Sequence, residues 1–275
     1  MAPWFSNMRE YRRDVYAGKS SRPRSRAAVT MVHNESVFLP IWLGYYSRFF
    51  RPEDIYVLDN ETSDGSTERD GFVRIPAEQP TVDHAWMAQT LGELQRELLD
   101  RYDVVLITDV DEIVAPVPEW GTLGDYIDRF DEPWINCLGY ELLHRPELEP
   151  PLDLGRPVLD QRSWWFANDG YDKTALASEP TEWRPGLHAR TDSGFNPDPD
   201  LRLIHLHRMD YTLCLERHRT RRRKRWAEQD ARAGWAEHNR IVEEDEFARW
   251  FSEDSCFEGI EIRPERIRDS WRGLF

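Results

Sequence analysis

The sequence predicts an α/β fold in which a mostly parallel sheet is flanked by helices and followed by a C-terminal helical segment. Two observations lead to this prediction. Short apolar runs that suit strands buried on both faces alternate with stretches whose apolar residues recur every three or four positions, as in amphipathic helices. Polar clusters directly follow three of the apolar runs, and ligands bind at the carboxyl ends of strands in open α/β sheets.

The first half of the chain carries the clearest alternation. Strands are predicted at 27–32, 54–58, 72–75 and 104–107, where β-branched and other apolar residues are concentrated. A helix after the first strand is predicted by Phe38, Ile41, Trp42, Tyr45 and Phe49, which share one helical face. A longer helix before the fourth strand is predicted by Met87, Leu91, Leu94, Leu98 and Tyr102.

The second half is punctuated by prolines and predicts shorter elements. Strands are expected at 134–143, 163–167 and 201–207. Helices are expected at 211–230 and 243–251. No composition change marks a linker between the halves, so we expect a single domain.

Composition narrows the classes of partner. The chain has 275 residues and a formal net charge of −15, with a sequence pI near 5.0. A surface this acidic repels phosphate backbones, so we expect no nucleic-acid partner, and an anionic substrate would need a metal ion or a local basic patch. No apolar run approaches the roughly 20 residues of a membrane span, and no signal peptide is visible. The three cysteines fit neither a disulfide framework nor a zinc cluster, so we expect a reduced, cytoplasmic protein.

The strongest local signal is the acidic motif Asp109-Val110-Asp111-Glu112, which directly follows a predicted buried strand. Residues two apart on an extended chain project to the same side, so the carboxylates of Asp109 and Asp111 would repel each other unless a cation intervened. Oxygen ligands of this kind suit Mg²⁺ or Mn²⁺, usually with substrate phosphates in the other coordination positions. A solvated acidic turn is the alternative, but apolar residues flank the motif on both sides.

Two further polar clusters follow strands of the same predicted sheet. Their members are His33, Asn34 and Glu35 after the first strand, and Asp59, Asn60 and Asp64 after the second. Because the carboxyl ends of neighbouring parallel strands lie at one edge of a sheet, we expect both clusters to line one crevice with the acidic motif. Asp and Asn side chains there can accept hydrogen bonds from a base amide or a ribose hydroxyl.

Together the three clusters resemble the nucleotide-sugar half of family 2-type glycosyltransferases, in the subgroup similar to the family 92 enzymes. The resemblance rests on Val32-His33-Asn34-Glu35, on the loop from Asp59 to Thr67, and on Asp109-Val110-Asp111-Glu112. It covers residues 26–116 well and 160–226 loosely. It implies a Rossmann-like GT-A fold, a nucleoside-diphosphate sugar donor (a UDP-sugar by analogy) and a divalent metal, Mn²⁺ or Mg²⁺.

The resemblance also implies roles for individual residues. Asp109 would meet the ribose or the water shell of the metal, and Asp111 would ligate the metal. Trp86 and Gln89 would border the crevice from the long helix. The residues given a donor-binding role are His33, Asn34, Glu35, Asp59, Asn60, Asp64, Gln89, Asp109 and Lys173.

Three residues of the second half match positions in related sequences. Lys173 matches a Lys on a strand, and His188 matches the His of a Gly-x-His motif. His207 matches a His that precedes the C-terminal helix. A late His is often the third metal ligand in this fold, and imidazole suits Mn²⁺ better than Mg²⁺. We favour His207 because it directly precedes the helix, with His188 and His205 as alternatives. A hydrogen-bonded packing role explains each His equally well.

An inverting transferase needs a general base to take the proton from the acceptor hydroxyl. Asp169 is the candidate, because it follows the predicted strand at 163–167 and Gly170 would allow a sharp turn there. Its rivals are Asp172, Glu179 and Glu182. A plain turn Asp beside a Gly is the competing interpretation.

The basic run between Arg217 and Arg225 stands out in a chain of this net charge. A solvated helix face that balances acidic neighbours is one interpretation. The other interpretations are contact with donor phosphates, contact with an anionic acceptor, and contact with the anionic inner surface of a membrane that carries lipid-linked acceptors.

The sequence as a whole predicts a metal-dependent glycosyltransferase of hexosyltransferase type that acts on a hydroxyl of a glycan, a lipid-linked acceptor or a natural product, as in polysaccharide biosynthesis. Inversion is implied by the resemblance alone. We expect a mobile basic arm over 1–25 and one GT-A-like domain over 26–275, with a nucleotide-sugar half (26–116), an acceptor half (117–210) and C-terminal helices (211–275). The alternatives are a sugar-phosphate nucleotidyltransferase, although no Gly-rich phosphate loop follows the first strand, and a non-catalytic carbohydrate-binding protein.

Overall fold

The structure is a computed structural model that describes residues 22–257 and 259–275. Most of the predicted basic arm therefore lies outside the described residues. Its end is docked, because the backbone NH of Arg24 donates to the carboxylate of Asp128 at 3.2 Å. Hydrogen bonds hold this end of the arm against the domain, and the mobility of the arm stays a prediction.

The first half alternates strands and helices, and the prediction of an α/β fold is confirmed. The elements are β1 (Arg26–Val32), α1 (Phe38–Tyr46), β2 (Ile55–Asn60), β3 (Val73–Ala77), α2 (His84–Leu99), β4 (Val104–Ile107), β5 (Glu112–Pro116) and α3 (Leu123–Arg129). Strand β5 was not predicted, because the acidic motif that leads into it reads as a loop.

The second half contributes strands to the same sheet and then the C-terminal helices. Its elements are β6 (Trp134–Leu142), α4 (Val158–Gln161), β7 (Trp164–Ala167), β8 (Lys173–Ala177), β9 (Pro197–His205), α5 (Tyr211–Arg222), α6 (Glu228–Ala233), α7 (Glu244–Glu253) and β10 (Glu265–Arg266).

Within the described residues, ten strands form one sheet, in which β10-β7-β6-β8-β4-β1-β2-β3 is the main order and β9 pairs with both β5 and β6. Strands β3, β2, β1 and β4 are parallel. The second half adds antiparallel pairs, which join β4 to β8 and β5 to β9. The carboxyl ends of β1, β2 and β4 therefore lie side by side at one edge of the sheet, as predicted.

Strand β1 is buried on both faces because a helix packs on each side of the sheet. Ala27 and Val29 pack on one face with Leu91 of α2. Ala28 packs on the other face with Trp42 of α1. This alternation explains why the sequence of β1 is continuously apolar rather than alternating.

The predicted helix over 211–230 is broken in the structure. Helix α5 ends at Arg222, because the backbone of the following segment is engaged with the loop before α2. Val82 donates its NH to the carbonyl of Arg225 (2.9 Å) and accepts from the NH of Ala227 (2.9 Å). The end of the predicted range belongs to the short, separate helix α6.

The C-terminal helices pack on one another through a small apolar cluster. Cys214 of α5 lies with Phe247, Trp250 and Phe251 of α7, all of them buried. This packing holds α5 across the end of the sheet where the polar clusters lie. Among the described residues, no helix combines the length and the apolar character that crossing a bilayer requires.

Candidate metal and nucleotide site

The polar clusters after β1 and β2 bind each other directly. Asn34 has a left-handed backbone (φ 58°), and its side-chain oxygen accepts from the backbone NH of Ser63 (2.7 Å) and of Asp64 (3.1 Å). Asp64 in turn accepts from the NH of Ser36 at 3.2 Å. The two loops therefore form one connected wall of the crevice.

Asp59 is buried, and its carboxylate is used within its own loop. It accepts from the NH of Thr62 (2.9 Å), the hydroxyl of Thr67 (2.7 Å) and the guanidinium of Arg74 (2.6 Å). Burial acts to raise the pKa of Asp59, but these hydrogen bonds outweigh it and lower the pKa. These contacts order the loop, and a contact with a nucleoside stays a prediction.

His33 and Asn60 also hold the wall together. The ring NH of His33 at Nδ1 donates to the carbonyl of Asn60 at 2.6 Å. Asn60 exchanges two hydrogen bonds with the backbone of Gln79. Gln89 lies exposed on α2 and donates to Glu93 at 2.9 Å, so its predicted donor-binding role has no support from its contacts.

Lys173 lies between two carboxylates of the acidic motif. Its ammonium donates to Asp109 (2.8 Å) and to Glu112 (2.6 Å), and the Lys173 side chain is only 1% exposed. Burial opposes the charged form, but the two carboxylates outweigh it and raise the pKa of Lys173. Burial raises the pKa of Glu112 to about 7, with a further contribution from Asp109. Lys173 is therefore a buried cation that neutralises the first acid of the motif.

Asp111 is bound by a different cation, Arg217 of α5. The guanidinium of Arg217 is hydrogen-bonded to Asp111 and also donates to Glu35 at 2.8 Å. It stacks over the ring of Phe38, with 4.2 Å between the guanidinium carbon and the ring centroid. Burial would raise the pKa of Asp111, but the charges of Arg217 and His205 hold it well below its usual range.

His205 reaches Asp111 because of the strand register. Residue 205 ends β9 opposite Glu112 on one side and opposite Glu141 of β6 on the other. Its Nδ1 lies 2.7 Å from Glu141 and its Nε2 lies 3.4 Å from Asp111. Burial would lower the pKa of His205, but Glu141 and Asp111 together raise it to about 10.

His207 approaches the same carboxylate from the chain just after β9. The backbone NH of Leu206 donates to the carbonyl of Asp111 at 2.8 Å and fixes this approach. The Nδ1 of His207 lies 4.0 Å from Asp111, and its Nε2 lies 2.8 Å from the Nε2 of His218. Burial, with the charge of Arg221, keeps the pKa of His207 well below its usual range.

These residues form a group that fits a divalent cation. Ligand atoms of Asp111, His205 and His207 lie within 4.8 Å of one another, and all three residues are buried. Each imidazole has its remote nitrogen held by a partner, as metal-ligating histidines do. To bind a metal, His205 would release its proton and Arg217 would yield its place on Asp111. The set of one carboxylate and two imidazoles suits a divalent transition-metal ion, such as Mn²⁺ or Fe²⁺, better than Mg²⁺.

The grouping of the predicted metal ligands in the structure thus differs from the grouping that the sequence predicts. Asp111 and His207 come together, and His205 joins them as well. Asp109 is outside this group and pairs with Lys173. His188 is also outside it; burial and the charge of Lys173 lower its pKa to about 3, and its Nδ1 has no hydrogen-bond partner among the described residues.

Two further cations lie beside this group. Among the described residues, neither Arg221 of α5 nor Lys224 just after it has an ion-pair or hydrogen-bond partner for its side chain. Burial and the charge of Arg217 lower the pKa of Arg221. Burial and the charge of Arg221 lower the pKa of Lys224 to about 8. The unbalanced positive charge marks this face of α5 as a place for an anion.

The predicted base, Asp169, is exposed in the turn after β7. Gly170 has no positive φ, so the turn does not need glycine for its backbone. Glycine is required by packing, because a Cβ there would collide with the ring of Phe257. The predicted reason for Gly170 is therefore wrong, and the role of Asp169 as base stays a prediction.

Asp172, a rival for the base, is half-buried and accepts from the NH of Gly139 at 2.7 Å. Burial raises its pKa to about 7, with a further contribution from the charge of Asp169 and an opposing one from Arg202. A carboxylate with this pKa would be suited to proton transfer near neutral pH. The other rivals, Glu179 and Glu182, are exposed.

Asp172 should make the stability of the protein pH-dependent. Its pKa in the folded state is about 7, above the unfolded value of about 3.9. Between these pH values the unfolded state releases the proton more readily than the folded state, so the folded state loses stability as the pH rises from about 4 to 7. We expect Asp172→Asn to be about 1–2 kcal/mol more stable than the wild type at pH 8, after allowing for partial solvent exposure, and equal to it near pH 4. Urea unfolding at both pH values measures this, with exposed Glu179→Gln as control. An equal difference at both pH values would contradict the prediction.

Sequence reasoning missed Glu141 and His218 and did not separate Arg217 from its basic neighbours. Glu141 carries a usable signal, since it is a lone acid inside the apolar strand β6. The buried His218 is hidden within the basic run of α5. The role of Arg217 depends on which face of α5 meets the sheet, and no local pattern shows this.

Comparison with known proteins adds only distant likenesses. No protein-family model matches this chain, and no curated protein matches it. Among solved structures, it is similar to a mannosyltransferase from Pyrobaculum calidifontis in complex with GDP-Man and Mn²⁺, with 15% identity and a TM-score of 0.30 over 50% of this chain and 42% of that one. It is also similar to a mannose-1-phosphate geranyltransferase from Thermus thermophilus, with 12% identity and a TM-score of 0.29 over 71% of this chain and 60% of that one. The chain thus spans less than two thirds of either protein, and the likenesses carry no argument about its function.

Proposed function

We propose that this protein is a metal-dependent glycosyltransferase that uses a nucleoside-diphosphate sugar as donor and a hydroxyl group as acceptor. The observation that carries the proposal is the closeness of a carboxylate-imidazole group (Asp111, His205 and His207) to the cations Arg221 and Lys224, which have no side-chain partner among the described residues. A divalent ion beside these two cations is suited to a ligand with several negative charges close together. A diphosphate is such a ligand.

The rest of the crevice supports a nucleotide rather than free pyrophosphate. The wall formed by the loops after β1 and β2 stands at the carboxyl ends of parallel strands, where α/β folds bind nucleotides. Asn34 and Asp64 make it rigid through the hydrogen bonds that join the two loops. Rigid polar walls bind ligands with little ordering cost.

The residues of the site would act in the transfer in three ways: they hold the metal, bind the phosphates and accept the proton of the acceptor. Asp111, His205 and His207 would hold the metal, which when bound would neutralise charge on the departing diphosphate. Arg221 and Lys224 would bind phosphate oxygens directly. Lys173 keeps Asp109 and Glu112 from repelling an anionic ligand, because it neutralises them from within. A carboxylate, Asp169 or Asp172, would accept the proton of the acceptor hydroxyl.

The proposal is tested by ligand binding before any acceptor is known. A ligand that binds only the native state raises its apparent stability, so a nucleoside diphosphate with Mn²⁺ should raise the melting temperature more than either alone. Release of the diphosphate from a panel of nucleotide sugars, compared with consumption of nucleoside triphosphate and sugar phosphate, separates a glycosyltransferase from a nucleotidyltransferase. No shift with any nucleoside diphosphate in the presence of Mn²⁺ would refute the proposal.

Arg221 offers a specific test of the anion site. We expect Arg221→Met to weaken nucleoside-diphosphate binding about 10- to 100-fold, since a hydrogen bond to a charged group is worth about 1.5–3 kcal/mol. Without ligand the same change should raise the melting temperature slightly, because it relieves repulsion with Arg217. Titration calorimetry with Mn²⁺ present measures the first effect, and Arg219→Met, an exposed change on the same helix, is the control. A lower melting temperature with unchanged binding would mean that Arg221 is structural.

A further inference from the structure

A chain of hydrogen bonds leads from the candidate metal group into the C-terminal part of the protein. The Nε2 of His207 lies 2.8 Å from the Nε2 of His218, and the Nδ1 of His218 lies 2.9 Å from the carbonyl oxygen of Ile241. His218 is buried, and its ring packs against Trp250 and Phe247. His218 is not among the proposed metal ligands or phosphate-binding residues.

The partners at the two ends of this chain determine where the hydrogens lie. A carbonyl oxygen only accepts, so the Nδ1 of His218 carries a hydrogen that it donates to Ile241. The ring of His218 packs against Phe247 and Trp250, and no carboxylate of the described residues pairs with it, so the buried ring is neutral. A neutral ring carries one hydrogen, so its other nitrogen, Nε2, is an acceptor. The short contact between the two rings then requires His207 to donate from its Nε2.

It follows that the Nδ1 of His207 carries a lone pair rather than a hydrogen. This atom faces the carboxylate of Asp111 at 4.0 Å. Two acceptors that face each other at this distance are compatible with a cation between them and cannot form a hydrogen bond with each other. The free nitrogen is thus aimed at the position that the proposed metal would share with Asp111.

We propose that His218 is a positioning residue: it accepts the Nε2 hydrogen of His207, is itself oriented by the carbonyl of Ile241, and so keeps the Nδ1 of His207 available as a metal ligand. The proposal rests on the metal site of the proposed function. It adds that the segment carrying Ile241, far from the acidic motif in sequence, sets the metal affinity of the site. Outer partners of ligating histidines commonly contribute about 10- to 100-fold to metal affinity.

A second arrangement of the same atoms has to be distinguished from this one. His207, Cys214 and His218 also present ligand atoms within 4.8 Å of one another, which would suit a soft ion such as Zn²⁺. Two nitrogens that ligate one tetrahedral Zn²⁺ at about 2.0–2.1 Å would lie about 3.3 Å apart. The observed 2.8 Å is instead the length of a hydrogen bond.

The first experiment reads the hydrogen positions in the metal-free full chain. Long-range ¹H–¹⁵N correlation spectra distinguish the two neutral forms of each histidine ring by which nitrogen carries the hydrogen. We expect His207 to carry its hydrogen on Nε2 and His218 on Nδ1. A hydrogen on the Nδ1 of His207, or one equivalent of zinc that copurifies and is lost in Cys214→Ala, would overturn the proposal.

The second experiment measures Mn²⁺ affinity without nucleotide, by electron paramagnetic resonance of free Mn²⁺. We expect His218→Phe, which keeps an aromatic ring beside Trp250, to weaken Mn²⁺ binding about 10- to 100-fold. His218→Gln should recover most of this loss, since its side-chain oxygen can accept from His207. His238→Phe is the matched control, because His238 stacks on the other part of the same aromatic cluster, 6.0 Å from Trp250.

The outcomes separate this proposal from the proposed function. If the wild type binds Mn²⁺ and His218→Phe binds it equally well, the positioning role is wrong while the metal site stands. If the spectra show the expected forms but the wild type binds no Mn²⁺, the proposed function fails, and with it the role of His218 in metal binding. Equal losses in His218→Phe, His218→Gln and His238→Phe would show that His218 acts only through packing, and would overturn the proposal.

Discussion

Asp111→Asn should abolish Mn²⁺ binding by this protein at concentrations that saturate the wild type. Asp111 is the carboxylate at which His205, His207 and Arg217 converge. Loss of an outer partner of a metal ligand already costs about 10- to 100-fold in affinity, so loss of the ligand itself should cost at least ~100-fold. Titration calorimetry with Mn²⁺, and with nucleoside diphosphate in the presence of Mn²⁺, measures the effect.

The same substitution should also lower stability, because it leaves two buried cations without their shared anion. Removal of one partner of a buried ion pair costs about 3–5 kcal/mol, so circular dichroism has to show that the variant is folded. The matched control is Asp109→Asn. Asp109 is more exposed and pairs with Lys173, which keeps its contact with Glu112. If Asp109→Asn loses Mn²⁺ binding and Asp111→Asn retains it, the metal group is assigned to the wrong acid.

Lys173→Met should strongly destabilise the protein. The ammonium of Lys173 is the cation that Asp109 and Glu112 share, and the Lys173 and Glu112 side chains are each 1% exposed. Without it, the buried carboxyl group of Glu112 loses its cation and faces the partly exposed Asp109, so we expect the free energy of unfolding to fall by about 3–5 kcal/mol. Urea unfolding at pH 7.5 measures the loss.

A second variant tests whether the loss comes from charge rather than from packing. Adding Glu112→Gln to Lys173→Met removes one of the two repelling charges and should restore part of the stability, which a double-mutant cycle would show as coupling between the sites. Lys224→Met is the control, because Lys224 has no ion-pair partner among the described residues, and burial and the charge of Arg221 lower its pKa. Equal destabilisation by Lys173→Met and Lys224→Met would contradict the argument.

The sequence by itself determined which strands carry the site and at which edge of the sheet the site lies. The apolar strands β1, β2 and β4 are recognisable because both of their faces are buried, and the polar residues after them mark the edge where ligands bind. Asn34, Asp59, Asp64 and Asp111 were singled out on this basis, and the structure places the first three in one connected wall beside the fourth.

Only the tertiary structure decided which charges meet. Lys173 reaches Asp109 through the pairing of β8 with β4 and β6, and His205 reaches both Asp111 and Glu141 because β9 lies between β5 and β6. These partners are separated by more than 60 positions in the chain. A local pattern reports burial and periodicity, whereas these contacts depend on strand order and register.

The same holds for the C-terminal helices. The basic run shows a surplus of positive charge in the sequence. It does not show that Arg217 pairs with Glu35 and Asp111 while Arg221 has no ion-pair partner among the described residues. That division depends on the face of α5 that packs against the sheet, which the apolar contacts of Cys214 with α7 determine. The sequence therefore determined the kinds of groups at the site, while the packing of distant elements determined their partners, because electrostatic and hydrogen-bond contacts act over a few ångströms of space and not along the chain.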